Sequence, residues 1–540
     1  MKDAVLDAFE TPSSDAIRIE CSWLTFAVPV MVGLAVSSIY ISAARAVWFD
    51  DPYIFFEYIR NLAGGQGLSF NQGELSFGAT SILWPLLMAV PTRLTQLDAM
   101  AVAQVCSIIM YALSAGVLAL TIQRLIGNQW IAMIVSSMYV AYPSAAKIGM
   151  SGMEIGLFLL LMSLVLLLAS NQHVASWPIG ILSGLLFLTR PDAVVMLPVM
   201  LIWLFYRCVI DEKNIRAFVK HSVIFGICFG IVIAPWLLYL HSETGNFLPS
   251  TQAGKMLLWM PVMYHINYAQ FQAMGLVERF RIGFGSILEF FTDYRQVILT
   301  FGVGSIACIA MKRYLPIVRG AAVIAFVYTI AQPLLFSFTF PIFTFRYFTG
   351  LMLSAMLTLA LVLEWGCRTF LKPRPNAQML QRFAGVGFGL LVIVAYAGLH
   401  YLSFGNYLEQ VEQQRVRVDT AEWLDKNLPP DATIATEPLG ALGYYSHRYI
   451  VDMGGLITLK AQTLMPNGCS NPAQLGAFLQ STHPTYFADC SGLCLGEPAL
   501  ENAKIQYEPV YSVKSDEARV VACSIYKLTY PLSVPETAGG

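Results

Sequence analysis

The chain has 540 residues, of which 56% are hydrophobic and only 12% are charged, and its formal net charge is -1. Soluble domains carry about 25% charged residues, so the composition excludes an ordinary soluble protein and indicates a polytopic membrane protein. The near-zero charge, without any basic run of five or six residues, also argues against nucleic-acid binding. Residues 1–20 are polar and acidic, and the first apolar run, Trp23 to Phe49, can cross a bilayer. We therefore expect a first span rather than a cleaved signal.

Apolar runs recur along the chain and predict about eleven membrane-spanning helices. They lie at residues 23–47, 99–122, 130–146, 155–170, 177–189, 193–206, 221–241, 297–311, 320–338, 347–365 and 383–403. Some of these runs are shorter than the roughly 20 residues that a bilayer requires, so their bounds are approximate. The run from Ser81 to Val90 is shorter still and is followed by Pro91, which predicts an interfacial helix.

Charges on the connecting segments predict the orientation of these helices. With the N-terminus inside, the short outer connections carry only Lys147, Arg190 and Arg346. Cytoplasmic loops are typically richer in Lys and Arg than outer loops. The predicted inner connections show this excess. Their basic residues are Arg124, Arg207, Lys213, Arg216, Lys220, Lys312, Arg313, Arg319, Arg368, Lys372, Arg374 and Arg382. We therefore predict an N-in, C-out protein.

Three long segments then lie outside the membrane: residues 48–98, residues 242–296 and the C-terminal part of the chain. Charged residues, Pro and Asn return near residue 404. We predict a transmembrane module over 1–403 and a small extracytoplasmic α/β domain over 404–540. Its predicted elements are a helix beginning at Thr420 and strands at Ala432–Ala435, Arg448–Val451, Tyr486–Asp489 and Val520–Leu528.

Four of the ten cysteines fall in this C-terminal segment: Cys469, Cys490, Cys494 and Cys523. An even number in an oxidising compartment predicts two disulfides, for which three pairings exist. Free thiols are one alternative. A zinc site at Cys490 and Cys494 is another, but no second close Cys pair or His pair accompanies it.

The adjacent carboxylates Asp50 and Asp51 follow the first span directly. A charge near hydrocarbon costs several kcal/mol unless it is solvated, paired or metal-bound. A carboxylate at this position could act as a general base for a hydroxyl nucleophile. The structural alternative is a helix cap, because Asp followed by Pro52 is common at helix starts. The two interpretations are compatible, since a helix start can hold a catalytic carboxylate in place.

The first outer loop resembles the signature of the GT-C superfamily of membrane glycosyltransferases, in its stretches Asp50-Asp51-Pro52-Tyr53-Ile54, Arg60-Asn61-Leu62 and Phe70-Asn71-Gln72-Gly73-Glu74. Within that superfamily it is similar to the branch containing the mycobacterial terminal arabinofuranosyltransferases. Later segments resemble motifs of this branch in the right order, although Ser250 replaces its usual Asn. They are Ser151–Glu154, Leu188–Asp192, Gly245–Lys255, Phe345–Phe348, Gly443–Ser446 and Val451–Leu456. All of them fall on the outer side of the predicted topology.

The resemblance implies an inverting transfer of arabinofuranose or a related sugar from a polyprenyl-phosphate donor. The acceptor would be a cell-envelope glycan, a glycolipid or a surface protein, and the site would face outward from the bacterial cytoplasmic membrane. Asp50 is the preferred base, with Asp51 orienting it or contacting the acceptor. Because the leaving phosphate gains charge, cations are needed beside it, and Lys255, Arg346 and Arg190 are the candidates. Their alternative role is snorkelling to lipid headgroups.

Three further residues complete the predicted substrate site. Tyr53 lies closest to the carboxylate pair and could stack on a sugar or anchor the interface. Arg60 could also form an ordinary helix salt bridge with Glu57. Glu154 could bind sugar hydroxyls or orient a cation, or only face a helix dipole. No metal ligands are assigned, and the sequence leaves open whether a divalent cation bridges the carboxylates. The expected partners are membrane lipid, the lipid-linked donor and the acceptor.

A transporter or flippase for a lipid-linked saccharide is the alternative function. Transporters are commonly built from repeats, with binding sites near the bilayer midplane. This sequence shows no internal repeat, and its carboxylates stand at the ends of predicted spans. The pattern favours an enzyme working at the membrane surface.

Overall fold

The computed structural model describes residues 23–531 except for 44–46, 48, 248, 250, 288–305, 307–308, 310–315, 340–344, 371–376, 492–493, 495 and 515–521. In chain order the helices are α1 (Trp23–Ala43), α2 (Asp51–Ala63), α3 (Leu83–Thr95), α4 (Ala99–Ile126), α5 (Gln129–Ala141), α6 (Pro143–Gly149), α7 (Ile155–Ala169), α8 (Ser176–Thr189), α9 (Met196–Phe205), α10 (Ile215–Thr244), α11 (Thr251–Tyr264), α12 (Tyr268–Ala273), α13 (Pro316–Thr339), α14 (Thr349–Phe370), α15 (Ala377–Asn427), α16 (Gly440–Ser446), α17 (Lys460–Leu464), α18 (Pro472–Thr482) and α19 (Gly496–Asn502). Short 3-10 segments, Pro191–Val195 and Phe345–Phe348, precede α9 and α14.

The protein is a multi-pass membrane protein. In the described part, 6 helices are long and apolar enough to cross a membrane, and a pair bent by 69° at the α5–α6 junction would make a seventh. The apolar helices α7 and α8 are shorter. Each predicted span has a helix at its position except 297–311, most of which lies outside the described residues. The total of eleven spans and the N-in orientation stay predictions.

The helix predicted at residues 81–90 exists as α3 but continues through Pro91 to Thr95. It ends where Gln96 adopts a left-handed conformation with φ 57°. A left-handed residue is a common way to stop a helix, because it turns the chain out of the helical path. The end of this helix is therefore set by Gln96 and not by Pro91.

The C-terminal segment contains a five-stranded sheet with strand order β2-β1-β3-β5-β4. Strand β1 pairs in parallel with β2 and β3, whereas β3, β5 and β4 pair antiparallel. The strands are β1 (Thr433–Glu437), β2 (Tyr449–Asp452), β3 (Tyr486–Asp489), β4 (Gln506–Lys514) and β5 (Ala522–Thr529). The predicted α/β architecture is confirmed. Strand β4 was not predicted; it contains Pro509, and such a Pro is tolerated on an edge strand like this one.

The prediction of a helix beginning at Thr420 is wrong. Helix α15 runs without a break from Ala377 to Asn427, through the predicted domain boundary at residue 404. Thr420 is fully buried inside it, and its hydroxyl donates to the Val416 carbonyl at 2.7 Å. A Thr side chain can bond backward to the preceding turn as well as forward to a helix start, and here it bonds backward.

Two disulfides join the four C-terminal cysteines. Cys469 pairs with Cys494, with Cα atoms 4.8 Å apart, and Cys490 pairs with Cys523, at 4.2 Å. The free-thiol and zinc alternatives are therefore wrong. No group of three or more His, Cys, Asp or Glu residues that could hold a metal ion occurs in the described part of the chain.

One hydrophobic core joins the segment that follows α1 to the C-terminal sheet. Phe56 of α2, Tyr444 of α16 and Ile450 of β2 belong to the same buried cluster as the inner faces of the membrane helices. Rings of Phe56 and Tyr444 lie 5.9 Å apart, edge to face. This shared core fixes the start of α2 against the C-terminal segment.

Candidate active site

The pair Asp50–Asp51 stands at the start of α2, whose next turns are buried. Pro52 occupies the first turn, and Tyr53, Phe56 and Tyr58 are fully buried. Asp50 holds the N-cap position but makes no side-chain cap hydrogen bond. The capping interpretation therefore fails for Asp50, whose carboxylate has other partners.

Asp51 forms two ion pairs through a single oxygen. Its Oδ2 accepts a hydrogen bond from Lys255 Nζ at 3.1 Å and another from the Arg346 guanidinium. Lys255 lies on α11 and Arg346 in the 3-10 segment before α14, so distant parts of the chain meet here. Burial alone would raise the pKa of Asp51, but the charges of Arg346 and Lys255 outweigh it and hold the pKa well below its usual range.

The three cations predicted to bind phosphate all contact Tyr347. Its hydroxyl accepts from Lys255 Nζ at 3.3 Å and from the Arg346 guanidinium at 3.0 Å. Arg190 and Arg346 lie over its ring, with guanidinium carbons 5.3 and 4.9 Å from the centroid. Three basic residues from three distant segments thus share one aromatic ring.

Arg190 is buried and anchored by two carboxylates. It contacts Glu154 Oε1 at 3.1 Å and Asp192 Oδ1 at 3.1 Å. Gln332 donates to Asp192 Oδ2 at 3.2 Å and to the Tyr347 carbonyl at 2.7 Å, which ties this group to the ring. The second oxygen of Glu154 is buried without a hydrogen-bond partner among the described residues. The predicted residues Arg190 and Glu154 therefore form one charged cluster directly behind Tyr347.

Asp50 faces the C-terminal segment instead. Its carboxylate accepts from the amides of Gly440 at 2.7 Å and Ala441 at 2.9 Å, at the start of α16. Gln414 of α15 donates to the same carboxylate at 3.1 Å. The two adjacent aspartates thus connect different parts of the molecule, Asp51 to the cations and Asp50 to the C-terminal helices.

Tyr53 and Arg60 lie on the side of α2 that packs against α16. The Tyr53 hydroxyl accepts from the Val47 amide at 3.1 Å, and its ring lies 6.1 Å from that of Tyr444. Arg60 donates to the Tyr444 carbonyl at 2.8 Å and pairs with Glu57. Through these contacts Tyr53 and Arg60 join α2 to the C-terminal segment.

Sequence reasoning missed Gln414 and Glu437. Glu437 ends β1, and burial together with repulsion from Asp50 raises its pKa to about 7. Neither residue belongs to a motif, and both lie several hundred positions from Asp50. Tyr347 was within the Phe345–Phe348 motif but was not singled out. The sequence feature that indicates Tyr347 is its position directly after Arg346, at the start of a predicted span.

The C-terminal segment matches a family model over residues 406–528, which is described as DUF8728, a domain of unknown function. A terminal beta-(1->2)-arabinofuranosyltransferase from Mycobacterium tuberculosis is 31% identical over 161 residues. That match covers 26% of this chain and 26% of the relative, so it spans about a quarter of the relative's length.

Similar solved structures cover nearly the whole chain. ArnT from Cupriavidus metallidurans, bound to undecaprenyl phosphate, has a TM-score of 0.56 and 13% identity, covering 94% of this chain and 98% of that one. The oligosaccharyltransferase AglB from Archaeoglobus fulgidus, in complex with an inhibitory peptide and a dolichol-phosphate, has a TM-score of 0.52 and 12% identity. It covers 96% of this chain and 76% of AglB. The chain therefore has the GT-C fold.

Proposed function

We propose that this protein is an inverting glycosyltransferase. It transfers arabinofuranose or a related sugar from a polyprenyl-phosphate donor at the outer face of the bacterial cytoplasmic membrane. The observation that carries the proposal is the cluster of Asp51, Lys255 and Arg346, in which a carboxylate and two cations meet at predicted outer segments. The lipid phosphates bound by the ArnT and AglB structures support the donor class.

In this proposal Asp51 takes the proton of the acceptor hydroxyl as its oxygen attacks the anomeric carbon. The bond from that carbon to the phosphate oxygen breaks, and the lipid phosphate leaves with its electron pair. Lys255 and Arg346 neutralise the charge that develops on the phosphate, where preorganised cations have their greatest effect. Sequence reasoning preferred Asp50 as the base. Its three hydrogen bonds to protein donors favour a positioning role, and the place of Asp51 beside the cations favours that residue as the base.

The charged cluster behind Tyr347 is proposed to complete the donor site. Arg190 would add positive potential near the phosphate through its position over the Tyr347 ring. The buried, unpartnered oxygen of Glu154 is the acceptor that a sugar hydroxyl could satisfy. The acceptor class remains a glycan, a glycolipid or a surface protein, and a divalent cation is not assigned.

The test is turnover of synthetic polyprenyl-phosphate sugars by the purified protein, scored by release of lipid phosphate. Asp51→Asn should fold and insert normally and lose at least about 100-fold in rate, the low end of general-base catalysis. Lys255→Ala and Arg346→Ala should each lower kcat/KM for the donor by roughly 30- to 150-fold, the cost of one charge-assisted contact.

Glu412→Gln is the matched control, because it removes one carboxylate from an exposed position on α15. It should keep near-normal turnover. If Asp50→Asn, Asp51→Asn and the double variant all keep near-normal turnover, the pair is structural and the proposal fails. Movement of the intact donor across liposome membranes without phosphate release would favour the transporter alternative.

A further inference from the structure

We propose that the donor phosphate competes with the Asp51 carboxylate for Lys255 and Arg346, and that this competition frees Asp51 to act as the base. The inference rests on the proposed function and deepens it, since it assigns Asp51 a second role as the counter-ion of the phosphate site. It makes the strength of the base depend on the presence of the leaving group.

The contacts of the two cations carry this inference. Both cations donate to the same oxygen of Asp51, and both also donate to the Tyr347 hydroxyl. Among the described residues, Asp51 is the only carboxylate that forms an ion pair with either of them. The side chains of Lys255 and Arg346 are only 20% and 15% exposed, so solvent screens the pairs weakly. An anion that binds these cations must therefore share them with Asp51 or displace it.

The chemistry of the donor decides the direction of this competition. A polyprenyl-phosphate sugar is a phosphodiester with one negative charge, whereas the departing lipid phosphate is a monoester that carries up to two near neutral pH. The electrostatic attraction of the phosphate for Lys255 and Arg346 thus grows as the bond to the sugar breaks. The ion pairs of Asp51 with these cations are therefore lost at the stage when Asp51 must take the proton of the acceptor hydroxyl.

The ion pairs also weaken Asp51 as a base. A carboxylate whose charged form is stabilised by two cations has little tendency to take a proton. When the phosphate takes over these contacts, the pKa of Asp51 returns toward its ordinary range. The base therefore gains strength only beside a bound phosphate.

The local structure leaves Asp51 free to turn away. Its side chain is 30% exposed, and its Oδ2 pairs are made with side chains rather than with backbone. Asp50, by contrast, is fixed by two backbone amides and by Gln414, and its carbonyl accepts from the Tyr53 amide at 3.1 Å. The start of α2 is thus held without any contribution from the Asp51 carboxylate.

Binding of farnesyl phosphate, a short lipid monophosphate without a sugar, tests the competition. Asp51→Asn removes the competing anion, so it should bind farnesyl phosphate at least about tenfold more tightly than the wild type. Glu412→Gln should bind as the wild type does, and Lys255→Ala should bind more weakly. Unchanged or weaker binding by Asp51→Asn would overturn the inference, because Asp51 would then serve to hold the cations in place for the phosphate.

A measurement on the wild-type protein covers the case in which Asp51→Asn does not fold. A carbodiimide forms a zero-length amide between Asp51 and Lys255 when the two are in contact, and the product can be mapped by mass spectrometry. Farnesyl phosphate should suppress this cross-link and farnesol should not, while the exposed Glu422–Lys426 pair, at 3.4 Å, reports reagent activity in the same sample. A cross-link that persists under saturating farnesyl phosphate would reject the displacement.

These outcomes separate the inference from the proposed function. Tighter binding by Asp51→Asn together with normal turnover would keep the counter-ion role and reject the base. Loss of turnover together with weaker binding would keep the enzyme and reject the competition. If neither the wild type nor Asp51→Asn binds farnesyl phosphate, both the phosphate site and the competition for it are rejected.

Discussion

Asp50 and Asp51 have different partners because of where they stand in a helix. Successive residues of an α-helix point about 100° apart, so two adjacent carboxylates at a helix start face different neighbours. One reaches the amides of Gly440 and Ala441, and the other reaches Lys255 and Arg346. The sequence shows that the pair is costly near a membrane. It does not show the division of partners, because those partners lie 204 or more positions away.

At this scale the sequence predicted residue types better than contacts. The family resemblance implied that Lys255, Arg346 and Arg190 lie near a phosphate, and the structure groups them around Tyr347. Gln414 and Glu437 could not be predicted, since a single Gln or Glu in a mixed segment carries no pattern. Their proximity to Asp50 arises only when the C-terminal segment packs on α2.

Glu57 gives a pH-dependence prediction. It is 4% exposed, and burial raises its pKa from 4.5 to about 7 against the opposing charge of Arg60. Between pH 4.5 and 7 the unfolded chain releases the Glu57 proton and the folded protein retains it. Stability is therefore lost as the pH rises through this window, by about 1.4 kcal/mol per pH unit, and is unaffected by Glu57 below it.

Glu57→Gln cannot titrate and should not show this loss. Thermal unfolding in detergent at pH 5, 6 and 7 should show the variant gaining stability relative to the wild type at each step. Glu422→Gln is the matched control, because Glu422 is half exposed and pairs with Lys426 on the surface of α15. Parallel pH curves for Glu57→Gln and the wild type would contradict the prediction.

At the scale of elements, α2 is positioned by α16 and α15 as much as by the membrane helices. Gly440 opens α16 directly against Asp50, and a β-carbon at this position would overlap the backbone oxygen and the carboxylate of Asp50. Only a residue without a side chain allows this approach. The Gly at the start of α16 is thus a packing requirement of the candidate site.

Gly440→Ala should therefore separate Asp50 from α16. Overpacking of this kind costs about 1–3 kcal/mol, and we expect a lower unfolding temperature together with reduced glycosyl transfer. Gly226→Ala, in α10, is the matched control because a β-carbon there meets nothing within 4 Å. Equal behaviour of the two variants in thermal unfolding and turnover would show that the Asp50–α16 contact contributes nothing.

The elements that sequence reasoning got right have a clear periodic signal. Strands β1, β2, β3 and β5 were predicted to within a few residues, because short β-branched or aromatic runs stand between turn residues. Strand β4 was missed because Pro509 interrupts such a run. The start at Thr420 was wrong because α15 already existed before it, and a polar segment can continue a helix that begins in an apolar one.

At the scale of the whole molecule, the fold follows from hydropathy and not from sequence identity. The similar structures have only 13% and 12% identity with this chain over nearly its full length. Apolar runs of span length determine which segments enter the membrane, and this pattern survives when individual residues change. The sugar and the acceptor of the proposed reaction would depend on a few side chains, which such a pattern does not encode.

Helix α15 connects the two sides of the membrane in the predicted topology. Its 51 residues would extend about 75 Å at 1.5 Å per residue, whereas the hydrocarbon core of a bilayer is about 30 Å thick. More than half of its length must therefore lie outside the hydrocarbon. Its polar C-terminal part leads directly into the C-terminal segment, whose four cysteines form two disulfides. Disulfides form and persist in oxidising compartments.

The predicted orientation then places residue 215, within a basic segment, on the opposite side from residue 410 in α15. A fluorescent-protein fusion after residue 215 should be bright and a phosphatase fusion there inactive, because the first folds inside and the second outside. A fusion after residue 410 should give the reverse.

The excess of Lys and Arg on the 207–220 and 366–382 segments is the physical reason, since basic loops are retained on the cytoplasmic side. If both fusions report the same side of the membrane, the prediction of an odd number of spans between residues 215 and 410 is wrong. Asp51, Lys255 and Arg346 could then not all face the outer surface together with the disulfide-bonded sheet.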